Sequence, residues 1–95
     1  MLDELYEIIL DRKKNPKPGS YTNQLLDANE DHVLQKVGEE SIEVILAAKG
    51  QGNQRLIEEV SDLFYHTLVL IVRQGVSLAE IERELSQRHI SRDEK

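Results

Sequence analysis

DHVLQKVGEESIEVILAAKGQGNQRLIEEVSDLFYHTLVLIVRQG, residues 31–75, is the stretch whose periodicity decides the fold. In its first part Leu34, Val37, Ser41, Val44, Ile45 and Ala48 fall on one side of a helix running from about Asp31 to Lys49. Gly50 stands where such a helix stops, and Asn53 is placed to cap the next one. That second helix carries Leu56, Ile57, Val60, Leu63, Phe64, Leu68 and Ile71 on a broad face and ends near Gly75, with a second half that is apolar nearly all round. A connection as short as Gly50 to Asn53 makes the two helices antiparallel neighbours.

The flanking sequence extends the same pattern. Leu2, Leu5, Ile8 and Ile9 recur at helical period up to Arg12, and Pro16, Pro18 and Gly19 then break it into a loop. After Gly75, Ser77 and Glu80 form a capping box with Val76 and Ile81 as its hydrophobic staple, and Leu78, Ile81 and Leu85 continue the stripe of a last helix. No run alternates with period two for long. The expected fold is all-α, a bundle of four to five helices built from one domain over residues 1–95. A helix that is apolar on every side needs cover on every side, which a chain of 95 residues hardly provides alone, so completion by homodimerisation is expected.

Composition excludes several classes of function. Twelve Lys and Arg stand against eighteen Asp and Glu, a net charge of -6 that argues against binding the phosphate backbone of nucleic acid. Without cysteine there are no disulfides and no thiolate metal sites. The N-terminus lacks the basic-then-apolar layout of a signal peptide. The apolar run Leu68 to Val72, which no other run exceeds, is far short of the roughly 20 residues needed to cross a bilayer. A cytoplasmic protein without membrane or nucleic-acid partners is the expectation.

Five acids interrupt this apolar frame in two groups, Glu39-Glu40-x-x-Glu43 and Glu59-x-x-Asp62. At about 100° per residue, Lys36, Glu39, Glu40 and Glu43 share one arc of their helix, opposite the stripe through Val37, Ser41 and Ala48. On the next helix Glu59, Asp62 and His66 form a row at the border of the apolar face, with Glu58 turned further toward water. Between antiparallel neighbours these two acidic faces can converge. Acids crowded together repel and lose hydration, and a hard divalent cation such as Mg²⁺, which prefers oxygen ligands and often takes phosphate oxygens in its remaining positions, would compensate them. Solvated helix faces, with Glu40 paired to Lys36, account for the same spacing.

A second constellation precedes the long helices. Arg12, Lys13, Lys14 and Lys17 lead into Gly19-Ser20-Tyr21-Thr22, the only dense basic segment of an acidic chain. Hydroxyls and backbone N–H groups there could hold phosphate oxygens, or the cations could simply favour the C-terminal end of the first helix. His66 is either a packing residue or one that orients a carboxylate or contacts phosphate.

Gly19-Ser20-Tyr21-Thr22, Lys36-Val37-Gly38-Glu39-Glu40 and Asp62-Leu63-Phe64-Tyr65-His66, in this order and separation, resemble the phosphoribosyl-ATP pyrophosphohydrolase family. The paired acidic motifs alone resemble the wider all-α nucleoside triphosphate pyrophosphohydrolase superfamily, whereas Ser20-Tyr21-Thr22 and Tyr65-His66 are the more specific segments. The resemblance, which extends from the Leu2 helix through Arg88, implies Mg²⁺-dependent hydrolysis of phosphoribosyl-ATP to phosphoribosyl-AMP and pyrophosphate by a homodimer. By matching positions it implies Glu40, Glu43, Glu59 and Asp62 as metal ligands and Glu39 as a further ligand or water-orienting base, so that Glu39 and Glu40 form the catalytic pair. Ser20, Tyr21, Thr22, Lys36, His66 and Arg88 are then the residues implied for holding substrate. Two alternatives stand beside it: a pyrophosphohydrolase of other nucleoside triphosphates, and a non-enzymatic dimeric helical interaction module. A cyclohydrolase domain, fused to this activity in some organisms, is not among the 95 residues, so the next pathway enzyme is expected as a separate chain.

Overall fold

The structure, a computed structural model, describes residues 1–93 and shows five helices, with no strand among the described residues: α1 (Leu2–Lys14), α2 (Tyr21–Asp27), α3 (Glu30–Gly50), α4 (Asn53–Gln74) and α5 (Leu78–Asp93). The all-α expectation holds. The centre of the molecule is the α3–α4 pair, whose packing is the most extensive between any two helices. Its turn differs in detail from the expected one. Gly50 is still helical, Gln51 is the C-cap of α3, and Gly52 rather than Asn53 caps α4. Gly52 takes φ +88°, a left-handed conformation that a side chain would strain, so the reversal is built on the glycine and Asn53 becomes the first helical residue.

The C-terminal end of α4 is closed by Gly75 at φ +76°. Its N–H bonds the Val72 carbonyl at 3.2 Å and the Val76 N–H bonds the Ile71 carbonyl at 2.9 Å, the paired bonds of a Schellman turn. The capping box that starts α5 forms as expected, with Ser77 N–H to Glu80 at 2.9 Å and Glu80 N–H to Ser77 Oγ at 3.1 Å.

Helix α2 lies in the segment expected to be a loop. Seven residues are too few for a helix to persist on propensity, and here tertiary contacts hold it. Ser20 Oγ accepts from Asn23 N–H, and buried Leu25 anchors the helix in the core. The buried Asn23 side chain accepts from Lys17 N–H at 2.8 Å and donates to the Arg12 carbonyl at 2.8 Å. At the other end the Arg73 guanidinium donates to the carbonyls of Leu25, Leu26 and Ala28, which α2 leaves without helical partners. Because Tyr21 meets His66 and Ala28 meets Arg73, α2 runs along α4 in the same direction.

The core lies at one end of the α3–α4 pair, where Tyr6 and Ile9 of α1, Leu25 of α2 and Val33 of α3 close on Leu68, Val69 and Val72 of α4. Tyr6 Oη donates to the Val76 carbonyl at 3.0 Å and fixes α1 to the end of α4. This local core changes the expected stripe on α3. Only Val33 and Ala47 are buried there, while Leu34, Ile45 and Ala48 are exposed, and so are Ile57 and Phe64 on α4. The physical reason is length: α3 and α4 extend well beyond what α1 and α2 can cover, and the side chains of α5 as far as Arg88 are themselves largely exposed. No described helix is long and apolar enough to cross a membrane.

Candidate functional site

Antiparallel packing about Gln51 brings level those residues that are equally far from the turn, Glu40 on α3 and Asp62 on α4. Glu59, one turn before Asp62, lies on the same side of α4. One carboxylate oxygen from each of Glu40, Glu59 and Asp62 lies within 4.8 Å of the others, the only such group of acidic or histidine ligand atoms among the described residues. Their surroundings differ. Glu59 is 4% exposed, Glu40 is half-buried, and Asp62 faces solvent. Burial first, then the contact with Glu59 and the charge of Asp62, raise the Glu40 pKa above the ordinary value of 4.5, with His66 acting in the opposite direction.

Among the described residues the buried Glu59 carboxylate forms an ion pair with Arg55, whose Nη2 approaches Oε1 at 2.8 Å. The same guanidinium meets Glu58 Oε1 at 3.2 Å through Nη1. Arg55 escaped the sequence reading, although Arg55-x-x-x-Glu59 has the one-turn spacing of a helical ion pair.

A second group of polar contacts joins α2 to the acidic helix. His66 is buried, and its Nδ1 lies 2.8 Å from the Asp62 carbonyl oxygen. That oxygen can only accept, so Nδ1 carries the proton and, in the neutral ring, Nε2 accepts from Tyr21 Oη at 3.3 Å. Thr22 Oγ1 hydrogen-bonds the Tyr65 hydroxyl, and the Tyr21 and Tyr65 rings stack at 6.3 Å. Burial raises the Tyr65 hydroxyl pKa against the opposing effect of that hydrogen bond.

The remaining anticipated residues are placed less centrally. Glu43 lies one turn beyond Glu39 and Glu40, half-buried and outside the group of three; its charge reaches Arg55, whose protonated form is favoured chiefly by Glu58 and then by Glu59. Glu39 is exposed and accepts from Gln35 Nε2 at 3.3 Å. Lys36 is half-buried on the same arc of α3. Ser20 serves as the N-cap of α2. Arg88 pairs with Glu84 on the surface of α5 at 2.9 Å, and no contact joins it to the acidic group. The structure thus brings Glu40, Glu59 and Asp62 together, sets Tyr21 and His66 beside them, and leaves Glu39, Glu43 and Arg88 outside that cluster.

The sequence that builds this acidic cluster, and the Ser20-Tyr21-Thr22 segment beside it, is similar to that of known proteins. Residues 2–89 fit the family model of phosphoribosyl-ATP pyrophosphohydrolase. The chain belongs to that family. Among its relatives, a protein of Lactiplantibacillus plantarum named phosphoribosyl-ATP pyrophosphatase is 53% identical over 87 residues, 92% of this chain and 82% of its own. Proteins with the same name from Listeria welshimeri, 52% identical over 93% of this chain and 84% of theirs, and Clostridium acetobutylicum, 48% identical over 94% and 81%, are similarly related. The resemblance carried by the three motifs is therefore shared across nearly the whole chain.

Proposed function

We propose that this protein hydrolyses phosphoribosyl-ATP to phosphoribosyl-AMP and pyrophosphate, the second step of histidine biosynthesis, using Mg²⁺ held by its acidic cluster. The observation that carries this reading is the convergence of Glu40, Glu59 and Asp62 within 4.8 Å, in a chain whose family match spans residues 2–89. The donor set fits a hard divalent cation. All three ligands are carboxylates, one is buried with only a peripheral arginine to neutralise it, and the chain has no thiol.

Glu40, Glu59 and Asp62, with Glu43 as the fourth acid, would hold the ion, which when bound supplies charge neutralisation for phosphoryl oxygens. The protein's own contribution is placement. Glu39 and Glu40 take the role of orienting the attacking water and accepting its proton. Ser20, Tyr21 and Thr22 on α2, together with Lys36, His66 and Arg88, take the role of positioning the triphosphate and ribose phosphate. In-line attack by water needs no covalent nucleophile.

We take residues 1–95 as one domain acting as a cytoplasmic homodimer. Support for the dimer comes from the large apolar side chains that α3 and α4 leave exposed, among them Leu34, Ile42, Ile45, Leu46, Ile57 and Phe64. The test of function is pyrophosphate release from phosphoribosyl-ATP, ATP and dUTP, each with Mg²⁺ and with EDTA. Release from phosphoribosyl-ATP, abolished by EDTA, is expected; faster release from dUTP or ATP would transfer the reading to another nucleotide, and no release from any would leave an interaction module.

A further inference from the structure

We propose that Arg55 is the resident cation of the acidic cluster, a positioning residue whose guanidinium holds Glu59 while the cluster lacks metal and yields it when Mg²⁺ binds. The inference rests on the metal reading above and adds to it a residue with no role there.

Three observations on the same helix carry it. The first is position. Arg55 is the third residue of α4, whose first turn contains no acid and whose cap, Gly52, offers no side-chain hydrogen bond. A cation there opposes the helix dipole, so the arginine contributes nothing to starting the helix and its place calls for another reason. The second is its partner. Glu59 is 4% exposed, and a carboxylate so buried, with Glu40 and Asp62 within 4.8 Å, is costly unless a cation meets it. Arg55 Nη2 meets it at 2.8 Å, although the arginine itself is half exposed and belongs to the rim of the cluster.

The third is the alternative partner. Arg55 Nη1 already lies 3.2 Å from Glu58 Oε1, on a side chain that is about as exposed as the arginine. When a divalent ion takes Glu59, like-charge repulsion acts on the guanidinium at short range, and Glu58 retains it without any change in the backbone. Glu58, turned to water and outside the cluster, is thus the partner to which the arginine passes. Such an exchange lowers the free-energy cost of the metal-free state and weakens metal binding by the same amount, since the ion must displace a cation as well as water.

The test uses the full chain and Mg²⁺ alone, with no substrate. Isothermal titration compares wild type, Arg55→Gln and Arg55→Lys, and thermal melts in EDTA and in saturating Mg²⁺ accompany it. Loss of the charge in Arg55→Gln is expected to tighten Mg²⁺ binding roughly twofold to fivefold, the range for one partly exposed ion pair, whereas Arg55→Lys stays close to wild type. In EDTA Arg55→Gln melts below wild type, and with Mg²⁺ the gap narrows. Wild-type binding with an unchanged or weaker affinity in Arg55→Gln overturns the role of Arg55 and leaves the metal reading intact. A melting deficit of the same size with and without Mg²⁺ also overturns it, reducing the arginine to an ordinary surface pair. Absence of heat and of a thermal shift in the wild type removes the metal reading itself, and this inference with it.

Discussion

Glu40→Gln is expected to make the metal-free protein more stable while removing its response to metal. In the cluster, Glu40 faces Glu59 and Asp62 at no more than 4.8 Å, and at that separation two ionised carboxylates repel by about 3.5 kcal/mol at an effective dielectric constant of 20 and about 0.9 kcal/mol in bulk water. Asp62 is exposed and Arg55 offsets part of the charge of Glu59, so the lower end applies, about 1 kcal/mol in all. Glutamine keeps the shape, and its amide can donate to Glu59 where a second carboxylate cannot. For a chain of this size about 1 kcal/mol raises Tm by roughly 4–8 °C. The pH dependence has a definite sign. Because folding raises the Glu40 pKa above 4.5, the folded protein holds that proton more tightly than the unfolded chain. Its contribution is fully present below 4.5 and is lost as pH rises through the elevated folded value, so metal-free wild type loses stability over that window and the variant loses less. The assay is a set of thermal melts in EDTA between pH 4 and 8, repeated at pH 7.5 with Mg²⁺. A lower Tm for Glu40→Gln in EDTA, or a Mg²⁺-induced rise equal to that of wild type, would refute the reasoning.

Three further outcomes follow from other contacts. Tyr21→Phe keeps the ring stacked near Tyr65 but removes the hydrogen bond to buried His66 Nε2, and should cost about 1 kcal/mol in thermal melts; an unchanged Tm would mean that the contact contributes nothing to stability. Ser77→Ala removes the side-chain cap of α5 and should lower stability by about 1 kcal/mol, read by urea titration, with the m-value unchanged. Ile45→Asp, 63% exposed on α3, should leave the helical circular dichroism of the chain intact while converting the proposed dimer to monomer in sedimentation velocity; a variant sedimenting as wild type would exclude this face of α3 from the proposed interface.

How much of this was legible in the sequence depends on whether the cause is local. The α3–α4 pair is written in periodicity and in the brevity of residues 50–53, and once the hairpin is granted, the meeting of Glu40 with Asp62 follows from their equal distance from Gln51. The helix that carries Tyr21 and Thr22 was not legible, because its seven residues owe their order to Arg73, 45 residues beyond Ala28 in the chain, and to the burial of Leu25 and Asn23. Periodicity placed Glu39, Glu40 and Glu43 on one arc but could not choose among them. Which acid reaches across depends on how α3 is rotated against α4, and that is set by Val33 and Ala47 rather than by the wider stripe the sequence offers. Arg55 shows the converse difficulty. Its one-turn spacing to Glu59 is visible in the chain, as are the spacings of Arg55 to Glu58 and Arg88 to Glu84, and nothing local separates the three pairs. They differ in the burial of the acid: the Glu59 side chain is 5% exposed, whereas those of Glu58 and Glu84 are about half exposed. An ion pair at the surface has little consequence, and the same pair on a buried carboxylate determines what a metal must displace. The chemistry of the site is therefore readable as residue types, but the ranking of those residues comes from the packing of one helix face against another.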